Sequence, residues 1–144
     1  MRLFLDANVL FSAAHNPSGN AHALFSLAAM GRIILVASRY AIEEASRNIA
    51  LKCPDRAREL ESLLAGLVVG PEPAAALVSL AVEAGLPDKD APILAAAIVA
   101  SADLLVTGDR RHFGLLYGAA VQGVLILPPA DAVIKVLDYL APES

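Results

Sequence analysis

The feature that most constrains this chain is a set of short apolar runs with no polar alternation. They are Leu3-Phe4-Leu5, Ile33-Ile34-Leu35-Val36, Leu104-Leu105-Val106 and Val124-Leu125-Ile126-Leu127. A strand with one face in water alternates apolar and polar side chains, whereas a strand covered on both faces can be continuously apolar. Leu67-Val68-Val69 is a shorter candidate of the same kind. Between these runs the apolar residues fall at helical spacing. Val9 to Ala14 forms a helical turn, the loop Pro17 to Asn20 follows, and a helix from Ala21 carries Leu24, Leu27 and Ala28 until Gly31. Ser38 caps a helix through Ile42, Ala45 and Ile49, and Pro54 begins another with Ala57, Leu60, Leu63 and Leu64. Pro71 and Pro73 open a helix with Leu77, Leu80, Ala81 and Ala84 inward. The helix Ile93 to Ala102 is apolar nearly all round and therefore central. A last helix carries Ala132, Val133, Val136, Leu137 and Leu140. Apolar strands alternating with helices predict an α/β fold, a parallel sheet with helices on both faces. No repeat or linker interrupts residues 1–144, so a single domain is expected.

The composition narrows the function. The chain is 57% apolar and 18% charged, which excludes intrinsic disorder. Its longest uncharged apolar run, Ala91 to Ala102, is well short of the roughly 20 residues that span a bilayer. The net charge of −4 is not that of a protein that coats nucleic acid by bulk attraction. A nucleic-acid role would need local basic clusters, or a metal that reverses the sign of an acidic site. The single Cys53 excludes an internal disulfide and a Cys-rich zinc site. Asp6 interrupts the first apolar stretch too early for a secretory signal, so a cytoplasmic location is expected.

Ligands of open parallel sheets bind beyond the carboxyl ends of the strands, near the point where strand order reverses. Asp6 and Asp109 follow the first and fourth strands, and they share one crevice if those strands are neighbours. Asp90 starts the central helix and Glu44 lies early in the helix after the second strand, so both point to the same end. Carboxylates within about 4–6 Å suppress each other's ionisation. A divalent cation removes that conflict, and Mg²⁺ and Mn²⁺ prefer carboxylate and water oxygens. Such a centre activates water and neutralises a phosphodiester, which is nuclease chemistry.

Each acid also has a plainer explanation. Asp6 and Asp109 suit turns, and Asp88 and Asp90 suit a helix start, where the dipole favours anions. Glu43 is accounted for by an ion pair with Arg47 four residues on, whereas Glu44 meets Asn48 and has no such partner. His15, His22 and His112 are scattered, and no shared catalytic or metal role is expected of them. Arg110, Arg111 and His112 beside Asp109 form the best local basic patch, with a solvated loop the equal alternative, and Arg39, Arg47 and Lys52 form a weaker one.

Leu5-Asp6-Ala7-Asn8-Val9-Leu10 resembles the opening motif of PIN-domain proteins, and Ser38-Arg39-Tyr40-Ala41-Ile42-Glu43-Glu44 their second. Asp88-Lys89-Asp90-Ala91-Pro92 and the alanine-rich stretch after it resemble the third, and Leu105-Val106-Thr107-Gly108-Asp109 the fourth. Four motifs in order across residues 2 to about 127 make the resemblance specific. It implies a three-layer α/β/α fold with a five-stranded parallel sheet of order 3-2-1-4-5. It further implies Mg²⁺- or Mn²⁺-dependent hydrolysis of RNA, with Asp6, Glu44, Asp90 and Asp109 as catalytic metal ligands. Asn8 and Thr107 would orient those ligands or water, and Arg39, Arg110 and Arg111 would contact RNA phosphates. Small members are often VapC-like toxins, commonly dimeric and held inactive by an antitoxin. The expected partners are therefore single-stranded or structured RNA, an antitoxin and a second copy of the chain. A non-catalytic RNA- or protein-binding module is the competing reading. An aspartyl-phosphate enzyme or receiver domain fits less well, because Asn8 stands where a second acid is wanted after the first strand.

Overall fold

The protein is described from a computed structural model, over residues 1–73 and 75–142. Along the chain run β1 (Arg2–Leu5), α1 (Ala7–His15), α2 (Asn20–Ala28), β2 (Ile34–Ala37) and α3 (Arg39–Lys52). Next come α4 (Ala57–Leu64), β3 (Val68–Val69), α5 (Ala75–Glu83), α6 (Ala91–Val99), β4 (Leu104–Val106) and the single turn α7 (Arg110–Phe113). The chain continues through β5 (Ala120–Val121), β6 (Val124–Leu127) and α8 (Pro129–Leu140).

The sheet has the order β3-β2-β1-β4-β6-β5. Every pairing is parallel except β5 with β6. Its five parallel strands thus have the order the sequence analysis anticipated, with strand order reversing at β1 and β4. The added strand β5 is only two residues long, and Gln122 and Gly123 join it to β6. Both turn residues have positive φ, 49° and 83°, the conformation that matches the twist of a two-residue hairpin.

Successive strand residues serve opposite faces. Leu3, Leu5, Leu35, Ala37, Leu104 and Val106 pack with α1, α3 and α8, whose Leu10, Ala45 and Val136 belong to the same cluster. Phe4, Val36, Leu105 and Ile126 pack on the other face with Leu94 and Ala97 of α6 and with Phe113. Two covered faces explain why the sequence runs could be continuously apolar. The edge strand β3 is different, with Val68 51% and Val69 53% exposed. Leu137 lies on the outer side of α8 and is 51% exposed. No helix among the described residues is long and apolar enough to cross a membrane.

Two helix boundaries depart from the sequence reading. Pro71 and Pro73 precede α5 instead of opening it. The central helix stops at Val99, short of Ala102, because Ser101 adopts a left-handed φ of 55°. Ser101 N–H then donates to Ile98 at 3.0 Å and Ala102 N–H to Ala97 at 3.1 Å, the pair of bonds that closes a Schellman cap. Glycine normally takes this position, since a Cβ is strained there. We predict that Ser101→Gly stabilises the protein by about 0.5–1 kcal/mol, seen as a melting temperature higher by roughly 2–4 °C. An unchanged or lower melting temperature would show that Ser101 carries no such strain.

Candidate metal centre

The parallel register pairs Leu5 with Val106 and so brings Asp6 and Thr107 to adjacent strand ends. Asp6 N–H donates to the Val106 carbonyl at 3.0 Å, fixing the exit of β1. Asp6 is also the N-cap of α1, its Oδ1 accepting from Ala7 N–H at 2.7 Å. Its Oδ2 accepts from Thr107 Oγ1 at 2.8 Å and from Asn8 Nδ2 at 3.0 Å. Asn8 Oδ1 in turn accepts from Gly108 N–H at 2.7 Å, and Thr107 Oγ1 accepts from Asp109 N–H at 3.1 Å. A Cβ on Gly108 would come within 3.2 Å of Asn8 Oδ1, so the close approach of the two loops favours glycine there. Tyr117, which the sequence did not single out, donates its hydroxyl to the Thr107 carbonyl at 2.7 Å.

Asp6 is 4% exposed and Thr107 fully buried. Burial pushes the Asp6 carboxyl above its ordinary value of 3.8. The hydrogen bonds from Thr107, Ala7 and Asn8 act against that, and the charge of Glu44 adds to it. Burial also raises the Tyr117 phenol.

Asp90 occupies the N-cap position of α6 yet makes no capping hydrogen bond. It is 7% exposed, and its Oδ2 has no hydrogen-bond partner. Asp109 caps α7, its Oδ1 accepting from His112 N–H at 3.2 Å. His112 Nδ1 lies 2.8 Å from Asp109 Oδ2 and 3.1 Å from Asp90 Oδ2. The three side chains form a compact group of potential ligand atoms. The sequence placed His112 in the basic patch beside Asp109 but gave it no metal role; its approach to Asp90 was not expected.

Asp6, Glu44, Asp90 and Asp109 line one cavity of about 280 Å³. Asn8 borders it too, together with Tyr40, Asn48, Lys52 and Lys89. The lining cations are thus Lys52 and Lys89, whereas Arg39, Arg110 and Arg111 are exposed and outside the lining, as is Asp88. The anticipated pairing of Glu43 with Arg47 does not form: among the described residues the close contacts between a carboxylate and a basic side chain are those of the His112 imidazole. Both side chains are exposed, where an ion pair gains little over hydration. All four carboxylates border this polar cavity, and among the described residues Asp90 and Asp109, with His112, are the ones whose ligand atoms lie close enough together to share one ion.

An acidic cleft at the reversal point of a parallel sheet defines a small class of α/β proteins. A model of the PIN domain matches residues 2–111, and the chain belongs to that family. Its fold is similar to VapBC2 from Rickettsia felis bound to a DNA fragment from its promoter (18% identity, 89% of this chain and 98% of that one, TM-score 0.64). It is similar also to PAE2754 from Pyrobaculum aerophilum (22% identity, 96% and 90%, TM-score 0.65). FitAcB from Neisseria gonorrhoeae is a third such structure (20% identity, 89% and 98%, TM-score 0.56). No curated protein sequence matches the chain.

The raised pKa of Asp6 has a definite sign. The folded protein binds this proton more tightly than the unfolded chain, so the ionised carboxylate destabilises the metal-free fold at neutral pH. Asp6→Asn should therefore raise the melting temperature of metal-free protein at pH 7. The difference should shrink as pH falls through the raised pKa and level off below 3.8, at the value set by exchanging a carboxyl for an amide beside Asn8 and Thr107. Thermal melts of both proteins across pH check this, and a constant difference would contradict it.

Proposed function

We propose that the chain is a divalent-metal-dependent endoribonuclease, the toxin half of a type II toxin–antitoxin pair acting in the cytoplasm. The observation that carries this is the convergence of Asp6, Glu44, Asp90 and Asp109 on one cavity. In this reading those four carboxylates are catalytic and hold Mg²⁺ or Mn²⁺, which when bound supplies Lewis acidity toward the phosphate and water. Asp6 is the fixed member, since Thr107 and Asn8 hold its outer oxygen and leave little rotational freedom. Asp90 contributes an oxygen that has no other partner. Glu44 is partly exposed and, among the described residues, engaged by no ion pair, so it is free to take a proton from the attacking water. Lys52 and Lys89 balance phosphate charge at the cavity, and Arg39, Arg110 and Arg111 meet backbone phosphates farther out.

RNA as substrate is favoured by a second cavity of about 240 Å³ that shares Tyr40, Lys89 and Ile93 with the first. Pro92 and Ala96 give it an apolar wall, and Tyr40 is 61% exposed. An aromatic ring beside an apolar hollow suits a base that is free to leave its stack, as in single-stranded RNA or a loop of structured RNA. The toxin assignment, with an antitoxin and a second copy of the chain as partners, is supported by the VapC-like motifs and by the fold shared with VapBC2 and FitAcB. The adjacent reading frame is then expected to encode a small, charged, DNA-binding-type protein.

Purified protein should cleave single-stranded RNA in Mg²⁺ or Mn²⁺. Excess chelator should abolish cleavage, and Asp90→Asn should lower the rate by at least ~10²-fold with an unchanged circular dichroism spectrum. Cleavage undiminished by chelator would overturn the metal mechanism.

A further inference from the structure

His112 stands in this centre with a geometry that its hydrogen bonding does not explain. A ring nitrogen carries at most one hydrogen, so Nδ1 can satisfy Asp109 Oδ2 at 2.8 Å or Asp90 Oδ2 at 3.1 Å, not both. The Asp90 oxygen is left buried and unpartnered, although its side chain is aimed at the imidazole. A buried carboxylate oxygen without a donor is costly, and a native fold retains one where something else completes it. Adjacent ligand atoms around an octahedral ion with bonds of about 2.1 Å lie about 3.0 Å apart, close to both contacts of Nδ1. The imidazole is not adventitiously placed. Phe113, the next residue, is fully buried, and Asp109 caps the same turn through His112 N–H.

We infer that His112 Nδ1 is a nitrogen ligand of the divalent ion, beside Asp90 and Asp109. This rests on the metal-centre reading above and adds to it a ligand type that the carboxylates do not provide. Imidazole favours first-row transition ions over Mg²⁺, so the centre prefers Mn²⁺ to Mg²⁺.

Pulsed electron paramagnetic resonance of the full-length protein loaded with Mn²⁺ tests this without any assay of activity. The wild type should show a directly coordinated ¹⁴N coupling, and His112→Gln should lose it. Calorimetry should then find Mn²⁺ bound ~10-fold or more weakly in His112→Gln, with Mg²⁺ affinity changed less than about threefold. Bound Mn²⁺ without a nitrogen coupling in the wild type would overturn the inference and leave the metal centre standing, with His112 a hydrogen-bond partner of Asp109 only. A coupling that persists in His112→Gln would overturn it as well. No binding of Mn²⁺ at all would overturn both readings. The wild-type spectrum decides the matter even if the variant fails to fold.

Discussion

The arrangement depends on one buried carboxylate. Asp6 ends the central strand β1, caps α1 through Ala7 N–H and receives Thr107 from the end of β4. Those bonds join two neighbouring strands and a helix at the point where strand order reverses. They also oppose, without cancelling, the cost of taking the charge out of water, since the carboxyl remains raised above its ordinary value. The part of the fold that fixes the site is therefore also a part in which the fold bears a destabilising charge. Sites that must receive a cation commonly have this character, because the ion completes the electrostatics that the protein leaves unfinished.

Two of the other acids reach the cavity by the same structural device, whereas Glu44 lies within α3. Asp6, Asp90 and Asp109 each occupy the N-cap of the helix that follows them. An acid at that position is stabilised by the exposed N–H groups of the first turn, which is why such residues survive at the rim of an apolar core. The three differ in how much of the carboxylate the helix uses. Asp6 and Asp109 each give one oxygen to a backbone N–H, and Asp90 gives none. The sequence left capping and metal binding equally open for Asp90, and the missing cap bond removes the first of these explanations.

Much of this was legible in the residues because two-sided burial writes itself as unbroken apolar runs. Leu104-Leu105-Val106 and Leu3-Phe4-Leu5 needed no tertiary information to be read as inner strands, and their order followed from the motif resemblance. Strand β5 was not legible, since two residues, Ala120 and Val121, carry no periodicity and pair only because Gln122-Gly123 turns the chain back. The end of α6 was hidden for a related reason: Ser101 adopts a backbone conformation that its side chain does not advertise. The four acids were legible one by one, each after or before an apolar element. His112 was not, because its approach to Asp90 depends on α7 coming against the N-terminus of α6. Nor could the lining cations be chosen. Lys89 borders the cavity while Arg110 lies over the ring of Tyr117, 5.9 Å from its centre.

In the proposed reading, residues far apart in sequence enclose one cation. Crystals of the protein soaked in Mn²⁺ and measured near the manganese absorption edge test it most directly. An anomalous difference peak is expected inside the cavity, within bonding distance of carboxylate oxygens of Asp6, Asp90 and Asp109. A cavity free of anomalous signal at saturating Mn²⁺, with the ion bound elsewhere or not at all, would contradict it.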